Sequence, residues 1–125
     1  MRLSEAIRKG IPITTETRGF CGCAIGAAWA AVNGRQMTFR DRNKFAPFVA
    51  TQVARTYGWD EGLARYISNE HFQSRMTREQ CADYAEQWER EHGLIPQRES
   101  PAQFASRMVD QIKGMAKALP KPVEV

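Results

Sequence analysis

Between flanks rich in Arg, Lys, Asp and Glu runs CGCAIGAAWAAVN, Cys21 to Asn33, with no charged residue and Asn33 as its one polar side chain. A stretch like this belongs in a protein interior. Alanines at 24, 27, 28, 30 and 31 give it the best helix propensity. Gly34 follows, a residue that readily takes the left-handed conformation ending a helix. The prediction is a central buried helix whose small side chains let neighbouring backbones come close. Trp29 is its one bulky side chain, and truncating a buried residue of that size to Ala costs roughly 3–5 kcal/mol.

A chain of 125 residues can bury a real core around such a helix without disulfides or metal. The expectation is one helical domain over residues 1–119 with a C-terminal tail at 120–125. Hydrophobic residues at 42% and charged ones at 26% argue against wholesale disorder. The apolar centre is shorter than the about 20 residues a bilayer span needs, so no membrane contact is expected. Arg8-Lys9-Gly10 follow a short amphipathic stretch rather than precede an apolar one, which is not a secretory-signal pattern. Cys21, Cys23 and Cys81 cannot all pair within one chain, which suits a reducing compartment, and the expected location is cytoplasmic.

Helix signals fill most of the remaining chain. Ser4 is placed to cap a short helix through Lys9, with Leu3 and Ile7 inward and Gly10 as its stop. Ile11 to Phe20, with Pro12, three threonines and Gly19, reads as an ordered loop. In the basic connection Gly34 to Lys44, Met37 and Phe39 alternate with polar neighbours, the pattern of a two-residue strand. Pro47 suits the first turn of a helix carrying Phe48, Val49, Gln52, Val53 and Thr56 as far as Gly58. Asp60 caps another, with Leu63, Ala64 and Ile67 on one face and His71 or Phe72 continuing it. Thr77 and Gln80 form a capping box before Cys81, Tyr84, Ala85 and Trp88, and Gly93 ends that helix. Ser100 and Gln103 repeat the logic ahead of a stripe of Phe104, Ala105, Met108, Ile112, Met115, Ala116 and Leu119, stopped by Pro120. The predicted class is all-α, five or six short helices packed round the alanine-rich one.

Cys21 and Cys23 sit at a helix N-terminus, where the dipole and free N–H groups stabilise a thiolate. Their single intervening residue is a poor match to zinc spacing, which favours about two to four, and buried thiols are the commoner use. A metal or redox protein built on Cys21 and Cys23 is therefore the third-ranked hypothesis, and no metal or cofactor is assigned. Asn69, Glu70 and His71 bring together an amide, a carboxylate and an imidazole. Adjacent helical residues point in different directions, so a helix-terminal hydrogen-bond cluster fits them better than an acid–base site. The chain has no Gly-rich phosphate loop, nucleophile elbow or paired metal-binding histidines, and no catalytic residue is assigned. Glu61 to Glu91 has the outline of a helix-turn-helix. Its second helix carries Glu79, Asp83, Glu86 and Glu89, the wrong sign for a groove lined by phosphates.

Charge is segregated along the chain. Arg35, Arg40, Arg42 and Lys44 stand against Asp41 in the basic connection, and five acidic residues against Arg90 between Glu79 and Glu91. The molecule is expected to be electrically two-sided. Caps and stripes account for nearly every distinctive residue and leave no convergent catalytic set. The leading hypothesis is a non-enzymatic protein-binding module with Arg35, Phe39, Arg40, Arg42, Lys44 and Phe45 as contact residues and Phe48 as a further anchor, since interfaces favour aromatics and Arg. The competing assignment puts these phenylalanines in the core. A nucleic-acid partner at the same basic segment is the second hypothesis, with Arg107, Lys113 and Lys117 as another basic surface.

LSEAIRKG (Leu3 to Gly10) with CAIGAA (Cys23 to Ala28), and ISNE (Ile67 to Glu70) with MTREQCAD (Met76 to Asp83), resemble stretches of small all-helical proteins of bacteria and their phages. Met76 and Cys81 stand where that pattern more often has Trp and Ile. The resemblance covers less than a third of the chain and implies no activity. It implies a phage or prophage accessory protein, of a kind that acts by binding a host macromolecule.

Overall fold

The uncharged stretch forms the helix it predicts, and the other elements are helical too. The computed structural model describes residues 1–17, 21–96 and 101–118, without the side chains of 104, 107 and 114–118. In chain order the elements are α1 (Leu3–Gly10), a 3-10 turn (Ile11–Ile13), α2 (Ala24–Asn33), α3 (Phe39–Asn43), α4 (Val49–Tyr57), α5 (Glu61–Phe72), α6 (Arg78–Glu91) and α7 (Pro101–Ala118). Among the described residues there is no strand. Two compact units are formed, Met1–Leu94 and Ile95–Val125.

In the first unit α2 lies at the centre, buried from Ala24 to Ala30. It packs chiefly on α1 and also touches α4, α5, α6 and the 3-10 turn. Its alanines allow close approach: Gly10, ending α1, lies so near the Ala27 carbonyl that a Cβ there would overlap the oxygen. Leu3, Ala6 and Ile7 of α1, Val53 and Ala54 of α4, Leu63, Ala64 and Ile67 of α5, and Cys81, Ala82 and Ala85 of α6 complete the core. Each fully buried Ile or Leu among them contributes about 1.5–3 kcal/mol.

The predicted caps at α5, α6 and the end of α2 hold. Asp60 Oδ1 accepts the Leu63 N–H at 2.8 Å, Thr77 and Gln80 exchange bonds of 3.1 and 2.8 Å, and Gly34 closes α2 at φ 75°. Cys23 caps the start of α2, its Sγ accepting the Gly26 N–H at 3.5 Å. His71 rather than Phe72 continues the buried face of α5, lying four residues beyond Ile67, whereas Phe72 turns outward.

Several expectations are corrected. Ser4 is not the cap of α1 but its second residue, buried, with its N–H and hydroxyl donated to Glu89 of α6. Phe39 lies in a helix, not a strand. Thr38 and Asp41 form a capping box there, which outweighs an alternation only two residues long. Pro47 precedes α4, joined to Ala46 by a cis peptide bond, and Phe48 takes the N-cap position without a side-chain hydrogen bond. The segment from Ile11 opens with a 3-10 turn before its loop, and Thr14 of that loop accepts a hydrogen bond from buried Arg78.

The second unit contains α7, on which Ala105, Met108 and Ile112 of the predicted stripe are exposed. The Ser100 cap, Leu119 and the 120–125 tail lie outside the described residues, as do the side chains of Phe104, Arg107, Met115, Ala116 and Lys117. No helix among the described residues is long and apolar enough to cross a membrane.

Candidate functional site

The basic connection is shaped by one internal ion pair. Thr38 Oγ1 accepts the Asp41 N–H at 3.2 Å, and Asp41 Oδ2 accepts the Thr38 N–H at 3.0 Å and its hydroxyl at 2.8 Å. Arg35 then grips the Asp41 carboxylate with two N–H groups, at 2.7 and 3.2 Å, while its guanidinium lies over the Trp29 ring, 4.9 Å from the centroid. Arg35 is therefore committed to fixing α3 against α2. Of the six predicted contact residues, Phe39, Arg40 and Lys44 stand exposed, whereas Arg42 and Phe45 are half-buried and Phe45 packs on the core.

The Arg35 guanidinium, followed by the two Thr38 donors, holds the Asp41 carboxyl well below the usual carboxylate range. Its folded pKa lies under its unfolded one. The associated stability is therefore complete above the ordinary Asp value of about 4 and is lost as pH falls through the folded one. In an NMR titration Asp41 is expected to protonate after the other surface carboxylates as pH is lowered. Asp41→Asn should destabilise the protein at neutral pH and not in strong acid. Titration of Asp41 in the ordinary range would remove this account of α3.

The expected charge asymmetry is smaller than the sequence suggests. Arg8 of α1 reaches across to Asp83 at 2.8 Å and Glu86 at 3.3 Å, Arg90 pairs with Glu86 at 3.1 Å, and Glu89 is buried. Much of the acidic face of α6 is thus matched within the first unit, as Arg35 is on the basic side.

A groove adjoins α3. Arg42, Pro47 to Thr51 at the start of α4, and Arg65, Ser68, Asn69 and Phe72 of α5 enclose about 390 Å³ above the buried Cys23 and Ile25. Phe48 and Phe72 at its walls are 67% and 58% exposed. Sequence reasoning named Arg42 and Phe48 as contact residues, gave Asn69 and Phe72 other roles, and missed Arg65 and Ser68. Their signal was present as a second stripe, 65, 68, 69 and 72, at helical spacing beside the apolar one.

Asn69, Glu70 and His71 do diverge. Glu70 pairs with Arg75 at 2.7 Å, Asn69 faces the groove, and the buried His71 sets Nδ1 3.0 Å from the Met76 carbonyl and Nε2 3.5 Å from Glu16. The cysteines are also interior. Burial pushes all three thiols up, Cys81 to about 12, and at Cys23 it outweighs the first-turn N–H groups that favour a thiolate. Among the described residues no three His, Cys, Asp or Glu side chains converge as metal ligands. Native protein is expected to react slowly with a maleimide at all three thiols until denatured, and to keep its melting temperature in a chelator. Fast labelling of native Cys21 would restore a redox role, and stoichiometric zinc a metal one.

Compared with known proteins, the chain matches no family model, no curated protein and no solved structure.

Proposed function

We propose that this is a non-enzymatic protein-binding module, of the phage or prophage accessory kind, that engages a host protein through α3 and the residues beside it. The observation that carries this is the exposure of Phe39 at 62% and Phe48 at 67%, in a unit that buries Ile7, Ile25 and Ile67 almost completely. Each ring, about two thirds exposed, forgoes about 1–2 kcal/mol of burial, which a partner would recover. Arg40 and Lys44 stand exposed nearby in sequence, and aromatic groups with Arg are the side chains on which interfaces most depend.

Affinity purification from the native host, with nuclease treatment, tests the idea. The parent chain should capture a protein that survives nuclease. Phe39→Ala and Arg40→Glu, both at exposed positions, should lose it while melting as the parent does. Retention of every partner by both variants would sink the assignment, and a capture abolished by nuclease would transfer it to nucleic acid.

A further inference from the structure

α5 presents two faces to two different environments. Leu63, Ala64, Ile67 and His71 are buried in the core, whereas Arg65, Ser68, Asn69 and Phe72 line the groove against α4. At about 390 Å³ the hollow falls in the size range of sites that bury a ligand or an anchoring side chain. It is apolar within and positive at its walls. Pro47, Phe48, Val49, Ala50 and Phe72 supply the apolar lining, Arg42 and Arg65 the charge, and among the described residues no carboxylate takes part.

Nearby acids are engaged elsewhere, Glu61 with Arg55 at 2.6 Å and Glu70 with Arg75 at 2.7 Å. Arg65 donates to Thr51 Oγ1 at 3.5 Å, a long bond that a carboxylate would readily replace. Phe48 gives α4 no side-chain cap, and the first-turn residues Val49, Ala50 and Thr51 line the same hollow, adding the positive end of a helix dipole to the field.

We infer that this groove anchors the partner, and that its occupant is an acidic amphipathic segment with one apolar side chain between Phe48 and Phe72 and a neighbouring carboxylate on Arg65. The inference rests on the protein-binding function proposed above and adds the chemistry of what is bound. A basic segment would meet charge of its own sign, and a purely apolar one would leave the Arg65 guanidinium facing a desolvated contact.

The probes are three fluorescein-labelled peptides of one amphipathic sequence bearing Leu and Phe, with Glu, Gln or Lys at every polar position, titrated against the full chain by fluorescence anisotropy. The Glu peptide should bind with Kd below about 1 mM, the Gln peptide at least about tenfold more weakly, and the Lys peptide without saturation. Arg65→Glu and Phe72→Ala, both at exposed positions, should each weaken the Glu peptide about tenfold with melting unchanged, and Lys113→Glu on α7 should not. Equal affinity for the three peptides, no binding of the Glu peptide by about 1 mM, or binding indifferent to Arg65→Glu overturns the inference. The broader function fails separately. If the host protein is lost with Phe39→Ala but kept with Arg65→Glu and Phe72→Ala, the groove is wrong and the binding module stands. Retention by all the variants removes both.

Discussion

Glu89→Ala is expected to destabilise the protein by about 3 kcal/mol, where substitution of an ordinary surface glutamate stays within about 0.5. Glu89 is 2% exposed and lies 85 residues from Ser4, yet it supplies the acceptors that the start of α1 requires. Arg2 at the N-cap position makes no side-chain cap hydrogen bond. The Glu89 carboxylate instead accepts the Ser4 N–H at 3.4 Å and the Ser4 hydroxyl. Its removal withdraws the acceptors of the Ser4 N–H and hydroxyl and leaves both buried and unsatisfied, at about 1–3 kcal/mol for each group so stranded. Glu89→Gln keeps an acceptor of the same shape and should cost about 1 kcal/mol. Glu86→Ala, which loses partly exposed ion pairs with Arg8 and Arg90, should cost less than about 1. Equal losses for Glu89→Ala and Glu86→Ala in equilibrium denaturation would defeat the capping role.

Glu89 stands four residues beyond Ala85, on the buried face of α6, but its charge and the acids around it assign it to solvent, and Ser4 sits where a cap is ordinarily found. Periodicity tells which face of a helix is buried and not what stands opposite it, so the partner far along the chain that lets a charged residue be buried there is invisible to it. Arg78 is the same case. It follows the cap of α6, reads as a solvated charge, and is in fact 7% exposed, donating to Thr14 and to the Gly22 carbonyl at 3.3 Å. What was legible is local: the caps Asp60 and Thr77, the stop at Gly34, the alanines of α2, the apolar stripe of α5, and Cys81 and Ala85 of the stripe of α6, whose Tyr84 is instead 40% exposed.

The candidate surface divides along the same line. Phe39, Arg40 and Lys44 are exposed, as a contact residue must be. Arg35 was claimed, and its partner was readable: Thr38-Phe39-Arg40-Asp41 is a capping sequence, with the carboxylate left able to take a guanidinium as well as the Thr38 N–H. The groove was legible only in fragments, Arg42 and Phe48 among the contact residues and the second stripe of α5, since it arises only where the start of α4 meets that stripe, and a stripe of Arg, Ser, Asn and Phe is an unremarked solvent face until a wall stands beside it.

Gly26 sets local preference and packing in direct opposition, and packing is expected to win. Within a helix, Gly→Ala is ordinarily favourable by about 1 kcal/mol. A Cβ on Gly26 would overlap the carbonyl of Cys21, and one on Gly10 would overlap the carbonyl of Ala27. These obstacles are backbone atoms, which cannot swing away as the end of a long side chain does, so relief requires the loop before α2, or α1 itself, to shift and loosen its packing. Overpacking of that kind costs about 1–3 kcal/mol and at times more, enough to exceed the propensity gain. Gly26→Ala and Gly10→Ala are each expected to lose about 2–3 kcal/mol in denaturant titrations, a large share of the about 5–15 that a domain possesses. Gly62, near the start of α5, is the control: a Cβ there meets only the Asp60 side chain, at 3.3 Å, and Gly62→Ala should leave stability level or raise it by up to about 1 kcal/mol. A gain for Gly26→Ala equal to that for Gly62→Ala would mean that α2 does not pack as closely on its surroundings as its small residues allow.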